Sequence, residues 1–217
     1  MINSILPNDL WDTLAPLLSP ERKQKFEIAC TQKTNFLRLV LQDVHHPHNI
    51  AACLRSAEAF GIQHVDIVHL KKNLLRSKVS KGTAKWLQIQ VHKDLNSVVA
   101  SLKGQGFKIA AALPDTKALA LSELPLHEPL ALVFGNEHEG MDKSWLQHLD
   151  YTFTIPMCGL VQSLNISVSA AISLYQLREK LSKQKNLSLE EQRALLNHYA
   201  RKIWPKTFEK LYTTLKG

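Results

Sequence analysis

Cysteine is scarce in this chain. Cys30, Cys53 and Cys158 are the only three, widely spaced and without a CxxC pair, a count that fits a reducing compartment and argues against a disulfide scaffold or a zinc site. Long apolar runs are missing too. No stretch approaches the roughly 20 apolar residues that cross a bilayer, and the N-terminus has no basic segment leading into an apolar one. The expectation is a cytoplasmic protein without membrane association. No GxGxxG follows the first strand, which argues against a standard nicotinamide-dinucleotide fold, and the lack of GxxxxGK[ST] removes the P-loop NTPases. Internal repeats and low-complexity segments are also missing. Acid is in short supply: 27 Lys and Arg face 19 Asp and Glu, for a formal charge of +8 and a pI near 9.4. That balance points to a polyanionic partner, of which nucleic acid is the commonest for a cytosolic protein.

What is present suffices for a full core. With 217 residues and 45% hydrophobic content, one α/β domain of about 150 residues with appendages is expected. Near the N-terminus, Asn8 can cap a helix bearing Leu10, Trp11, Leu14, Leu17 and Leu18. Ser19-Pro20 then starts a second helix that ends near Cys30. The cations of that helix, Arg22 among them, either meet a phosphate backbone or form a solvated face. Phe36 to Leu41 reads as a buried strand. Asn49 stands where a helix from Ile50 to Phe60 would be capped, with Gly61 as its stop. On that helix Ile50, Cys53, Leu54, Ala57 and Phe60 share one face. Arg55 falls nearly opposite among alanines, either on a surface open to a partner or substrate, or solvated beside Glu58. His45, His46 and His48 have no Cys or carboxylate at ligand spacing except Asp43, and Pro47 breaks any helix that would put two histidines on one face, so no metal is expected.

Residues 64–70 alternate as a half-buried strand. Residues 71–86 then carry Lys71, Lys72, Arg76, Lys78, Lys81 and Lys85 without a single acid, and Ser77, Ser80, Gly82 and Thr83 suit a loop that wraps phosphates. A second α/β unit follows: a strand at Leu87–Val91, a helix at Leu95–Lys103, a strand at Phe107–Leu113, a mostly irregular stretch from Pro114 to Pro129, and the apolar strand Leu130–Phe134. Alternating strands and helices predict a mainly parallel sheet with its ligand at the strands' carboxyl ends, where the loops after Leu113, Phe134 and Ile155 would converge. Ser163, Asn165, Ser167 and Ser169 then run into a small, apolar helix. Ser188 and Glu191 form a capping box for a last helix over residues 189–203, with Arg193, His198, Tyr199, Arg201, Lys202 and Trp204 exposed or half-exposed.

Three blocks stand out: Asn49-x5-Arg55, then Phe134-Gly135-Asn136-Glu137-His138-Glu139-Gly140, then Ile155-Pro156-Met157-x-Gly159-x3-Ser163-Leu164-Asn165-x-Ser167. In this order they resemble the motifs of the SpoU (TrmH) family of RNA ribose 2′-O-methyltransferases, in the SPOUT superfamily, over roughly residues 35 to 180. The run from Asp43 to Asn49, the Lys85-Trp86 pair and Gly159 to Asn165 resemble the family's tRNA guanosine branch, which acts on the D-loop. The resemblance implies an α/β fold with a parallel sheet and a C-terminal trefoil knot, flanked by helical extensions. Its divisions would be 1–34 and 183–217 as tRNA-contacting extensions around a methyltransferase domain at 35–182. It also implies a homodimer, S-adenosylmethionine as cofactor and tRNA as substrate. Asn49, Arg55, Glu137, Ser163 and Asn165 match its catalytic positions. Leu113, Gly135, Ile155 and Leu164 match its cofactor-contacting ones. RNA contacts fall to Arg22, Lys71, Lys72, Arg76, Lys78, Lys81, Lys85, Arg201 and Lys202. His138 and Met141 depart from the usual pattern. The competing readings are 2′-O-methylation of rRNA or of another tRNA position, and a non-catalytic RNA-binding factor with the same fold.

Overall fold

The computed structural model describes residues 10–68, 81–113, 117–136 and 140–205. The chain divides into two compact units, residues 34–185 and the terminal segments 1–33 with 186–217. The two termini, read in the sequence as separate extensions, thus cluster together.

Among its described residues the larger unit is built on seven parallel strands: β1 (Thr34–Gln42), β2 (Ile62–Val68), β3 (Gln88–His92), β4 (Lys108–Ala112), β5 (Leu119–Ala120), β6 (Leu130–Phe134) and β7 (Tyr151–Thr154). They lie in the order β3-β2-β1-β6-β4-β7-β5. Because successive side chains of a strand point to opposite faces, each central strand feeds two cores. Leu37, Leu39 and Leu41 of β1 join Leu130, Leu132 and Phe134 of β6 beneath α3 (Pro47–Ala59) and α6 (Ile166–Lys180). Val40, Ala131 and Val133 turn the other way, toward α5 (Leu95–Gly104) and the buried Trp145 of a 3-10 segment, Lys143–His148. Burial on both faces is what makes β6 an unbroken apolar run.

Several elements correct the sequence expectations. The helix expected to start after Asn49 starts at Pro47, with His46 at the cap position and no side-chain cap. Proline's fixed φ and missing N–H suit the first helical position, so Asn49 sits inside the first turn. The strand expected to be half-buried is buried almost throughout, since β2 is an interior strand of the sheet. Its polar Asp66 is paired inside the fold. Oδ1 lies 2.6 Å from His92 Nε2 and Oδ2 lies 3.6 Å from Arg38 Nε. Arg38 also donates to Gln105 Oε1 at 3.0 Å and lies over the Phe107 ring. Burial pulls the Arg38 guanidinium below its usual pKa, and the Asp66 carboxylate pushes back. The stretch expected to be mostly irregular contains the short edge strand β5.

The smaller unit holds α1 (Leu10–Leu14), α2 (Pro20–Thr31) and α7 (Leu189–Ile203). Ser19 caps α2 by accepting from the Arg22 N–H, and the Ser188/Glu191 box starts α7. Trp11 donates its backbone N–H to Asn197 Oδ1 at 2.8 Å and its indole N–H to Glu27 Oε1 at 3.2 Å. The Phe26 ring lies between those of Trp11 and Tyr199. Tyr199, expected at the surface, is therefore buried. The predicted cap Asn8 lies outside the described residues.

Candidate active site

The carboxyl ends of β6, β4 and β7 are neighbours in the sheet, and the chain leaving them encloses a cavity of about 580 Å³. Volumes of this size suit a small-molecule ligand. Ala112 and Leu113 come from the end of β4, Gly135, Asn136, Gly140 and Met141 from the loop after β6, and Ile155, Met157, Gln162, Ser163 and Leu164 from the segment after β7. The convergence expected from strand alternation is thus present. No ionisable side chain is among the described lining residues, so polar recognition falls to amides, hydroxyls and backbone. Leu113 is fixed by donating its N–H to Phe153 O at 3.0 Å. The loop after β6 closes on itself where Asn136 N–H donates to Gly140 O at 2.9 Å. Gly135 has no room for a side chain there: a Cβ would lie 2.3 Å from that same Gly140 oxygen.

Asn165 ties the helix start to the rest of the site. Its Oδ1 accepts from the Ser167 N–H at 2.8 Å and from the Ser167 hydroxyl at 2.7 Å, capping α6. Its Nδ2 donates to Asn49 Oδ1 at 3.3 Å. The first and third sequence blocks, 116 residues apart, thereby meet through two carboxamides. Ser163 is exposed at the cavity wall.

Arg55 behaves differently. It lies six residues beyond Asn49 on α3, which turns it about 120° around the helix and about 9 Å along it. It is exposed and does not line the cavity. The structure therefore brings together Leu113, Gly135, Ile155, Ser163, Leu164, Asn165 and Asn49, and leaves Arg55 on an outer surface. Glu137 lies outside the described residues.

Of the expected RNA contacts, Lys71, Lys72, Arg76 and Lys78 also lie outside the described residues. Lys81 opens a short helix, α4 (Lys81–Ala84), and Lys85 is exposed with its Nζ 4.4 Å from the Trp86 ring centroid. Both precede β3, at the amino ends of the strands and thus opposite the cavity. Arg22 and Lys202 are exposed in the smaller unit and Arg201 is half-buried. Asn136, Gln162 and Ser169 of the cavity wall were not among the expected catalytic or cofactor positions, although Asn136 and Gln162 lie within the matched stretches and Ser169 belongs to the polar run that enters α6.

A family model described as the SpoU rRNA methylase family matches residues 36–175. The chain belongs to the SpoU methylase family. The match takes in the whole sheet except the first residues of β1, and all three loops of the cavity. Among SpoU relatives, a tRNA (guanosine(18)-2′-O)-methyltransferase of Borreliella burgdorferi is 30% identical over 198 residues, which is 86% of this chain and 91% of the relative. Its counterpart from Thermus thermophilus is 33% identical over 156 residues, 71% of this chain and 80% of that one. A solved SpoU structure, the TrmH/SpoU tRNA modifying enzyme of A. aeolicus, superposes with a TM-score of 0.74 at 26% identity, covering 84% of this chain and 96% of its own.

Proposed function

We propose that the protein transfers a methyl group from S-adenosylmethionine to the ribose 2′-oxygen of a guanosine in the tRNA D-loop. The observation that carries this reading is the meeting of three family motifs around one neutral cavity. That cavity also fits the cofactor by its chemistry. Leu113, Met141, Ile155 and Leu164 supply apolar walls for a purine, Ser163 and Gln162 supply polar groups for a ribose or amino acid, and no described lining side chain repels a cation. The relatives named above, whose tRNA activity is in their names, support tRNA as the substrate.

Bound there, the cofactor supplies an electrophilic methyl on a sulfonium, and the chain's own residues must present the nucleophile. Arginine, with a pKa above about 12, is a poor proton acceptor. Arg55 instead clamps the phosphate beside the reacting ribose and stabilises the developing alkoxide, while the proton leaves to that phosphate or to water. Asn49, held by Asn165, orients the ribose or Arg55. Ser163 and Glu137 complete the positioning of cofactor and nucleotide.

Since Arg55 is exposed and is not among the residues lining its own chain's cavity, the reaction is assigned to a homodimer in which Arg55 serves the partner's cavity. Val168, Ile172 and Tyr175 form an exposed apolar stripe along α6, 44%, 37% and 54% accessible, that a second copy would cover. The uncharged segment 155–165 is read as part of a trefoil knot around the cofactor. Arg22, Arg201 and Lys202 of the terminal unit, with Lys71, Lys72, Arg76, Lys78, Lys81 and Lys85, hold the tRNA backbone.

Methyl transfer from labelled S-adenosylmethionine to tRNA transcripts, with and without the D-loop guanosine, tests the reading directly. Labelling that requires that guanosine is expected, and labelling of rRNA alone would overturn it. Arg55→Ala should cut turnover far more than cofactor affinity. Near-normal turnover in Arg55→Lys would exclude a clamp that depends on the planar guanidinium fork.

A further inference from the structure

Gln42 ends β1 at the cavity end of the sheet, yet it is only 3% exposed. Both ends of its carboxamide are used. Nε2 donates to Asp43 Oδ2 at 3.0 Å, and Oε1 accepts from the Asp142 backbone N–H at 3.1 Å. These partners belong to different loops. Asp43 opens the connection from β1 into α3, where Asn49 stands in the first turn. Asp142 closes the loop after β6, whose residues Gly135, Asn136, Gly140 and Met141 line the cavity.

The conformation of Asp43 gives this link its significance. Among the described residues it is the one non-glycine with positive φ, at 52°. Such backbone persists only where its surroundings over-determine it, and it clusters at functional sites. Here the surroundings are visible. The Asp43 N–H donates to Val68 O at 3.2 Å, so the turn is pinned by β2 through the main chain and by Gln42 through the carboxylate. A plain solvated turn would need neither. The same buried amide that holds the turn also holds Asp142, which in turn caps the following 3-10 segment by accepting from the Ser144 N–H at 2.8 Å.

We propose that Gln42 is a positioning residue for methyl transfer, its buried carboxamide setting the separation between the loop that leads to Asn49 and the cavity-lining loop after β6. The inference rests on the methyltransferase reading above. Cofactor and ribose must be brought together to within a fraction of an ångström, and a displacement of about 1 Å can lower a rate by about 10²-fold. The first of these loops leads to a group assigned to the ribose, the second to the walls assigned to the cofactor. A tie between them therefore governs turnover more than cofactor affinity.

Three variants test this. Gln42→Met removes both hydrogen bonds at similar volume. Asp43→Gly removes the carboxylate while accepting positive φ without strain, so the fold is kept. Asp43→Asn tolerates the left-handed backbone and still offers an oxygen to Gln42. The first two should lower kcat on tRNA by at least about tenfold with the Kd for S-adenosylmethionine within about threefold of the unaltered protein. Asp43→Asn should stay within about threefold in both. Independently of activity, Asp43→Gly should speed hydrogen exchange at the Asp142 amide, about a hundred positions away in sequence. Unchanged exchange there, or a folded Gln42→Met protein with kcat within twofold of normal, overturns the inference. So does a loss of kcat matched by an equal loss of cofactor affinity. If exchange responds as expected but the unaltered protein methylates no tRNA, the tie stands and the activity reading falls.

Discussion

The buried charge cluster on the α5 face of the sheet makes a sharp prediction about stability. Asp66 is 2% exposed and holds His92 and Arg38 on the two strands that flank its own. Asp66→Asn keeps the shape and removes the charge. The Arg38 guanidinium, itself 5% exposed, is then left with a neutral amide at Gln105 and the face of Phe107. Breaking a buried ion pair from one side costs about 3–5 kcal/mol, because the remaining charge stays desolvated without its counter-charge. Against a typical total of about 5–15 kcal/mol, that is a large share of the fold's stability. Urea unfolding at one fixed protein concentration, followed by tryptophan fluorescence and far-UV circular dichroism, gives the difference provided the slope m is unchanged. The double variant Arg38→Met/Asp66→Leu removes both charges and should recover most of the loss, to within about 1 kcal/mol of the unaltered protein. An Asp66→Asn cost below about 1 kcal/mol would refute the reasoning. It would mean that water reaches the cluster or that His92 and Arg38 are held by packing alone.

Other expectations follow from the site and the thiols. In a homodimer where Arg55 acts on the partner's cavity, mixing Arg55→Ala with Ser163→Ala subunits should restore about a quarter of normal methylation, since half the dimers are mixed and each has one intact site; no recovery after exchange would place Arg55 in its own subunit's site. Gly135→Ala should weaken S-adenosylmethionine binding by at least about tenfold in calorimetry, because the new Cβ cannot coexist with the Gly140 carbonyl. An aromatic disulfide reagent should titrate the exposed Cys158 quickly and spare Cys53 and Cys30, which are buried. Burial holds the Cys30 thiol up at about 12. The folded state therefore keeps a proton that the unfolded chain releases near pH 9, and the associated stability is complete below that pH and lost as pH rises toward 12. Unfolding curves at pH 8 and 10.5 should show a shallower alkaline decline for Cys30→Ala than for the unaltered protein.

What the sequence made legible was what local chemistry decides. Leu130–Phe134 was readable as a strand because Pro129 and Gly135 bound an uninterrupted apolar run. The last helix was readable because Ser188 and Glu191 satisfy each other's backbone N–H groups. Two local rules competed at the start of α3, where Asn49 as a cap and Pro47 as first helical residue are incompatible, and proline won. The site was legible as three motifs, but their meeting rests on sheet order. Nothing in the strings around Asn49 and Asn165 says that their side chains touch. The role of Gln42 was hidden because a glutamine closing an apolar strand looks like the beginning of solvent. Asp66 looked like the polar half of an alternating strand for the same reason. Both are paired by residues that only the tertiary fold brings close.

The place of β6 also bears on how the protein comes into being. Among the described residues the chain lays down β1, β2 and β3 outward in one direction, β4 has no neighbour among them, and β6 alone joins the two sides. Roughly 90 residues separate the end of β1 from the end of β6, which at about 5–20 residues per second is some 5 to 20 seconds of synthesis. Throughout that interval the β1 edge that β6 will cover, rich in leucine and valine, is without its partner strand and open to other pairing. Translation speed over residues 43–134, and access of chaperones to that edge, should therefore set the yield of native protein more strongly than the same pauses placed after residue 135.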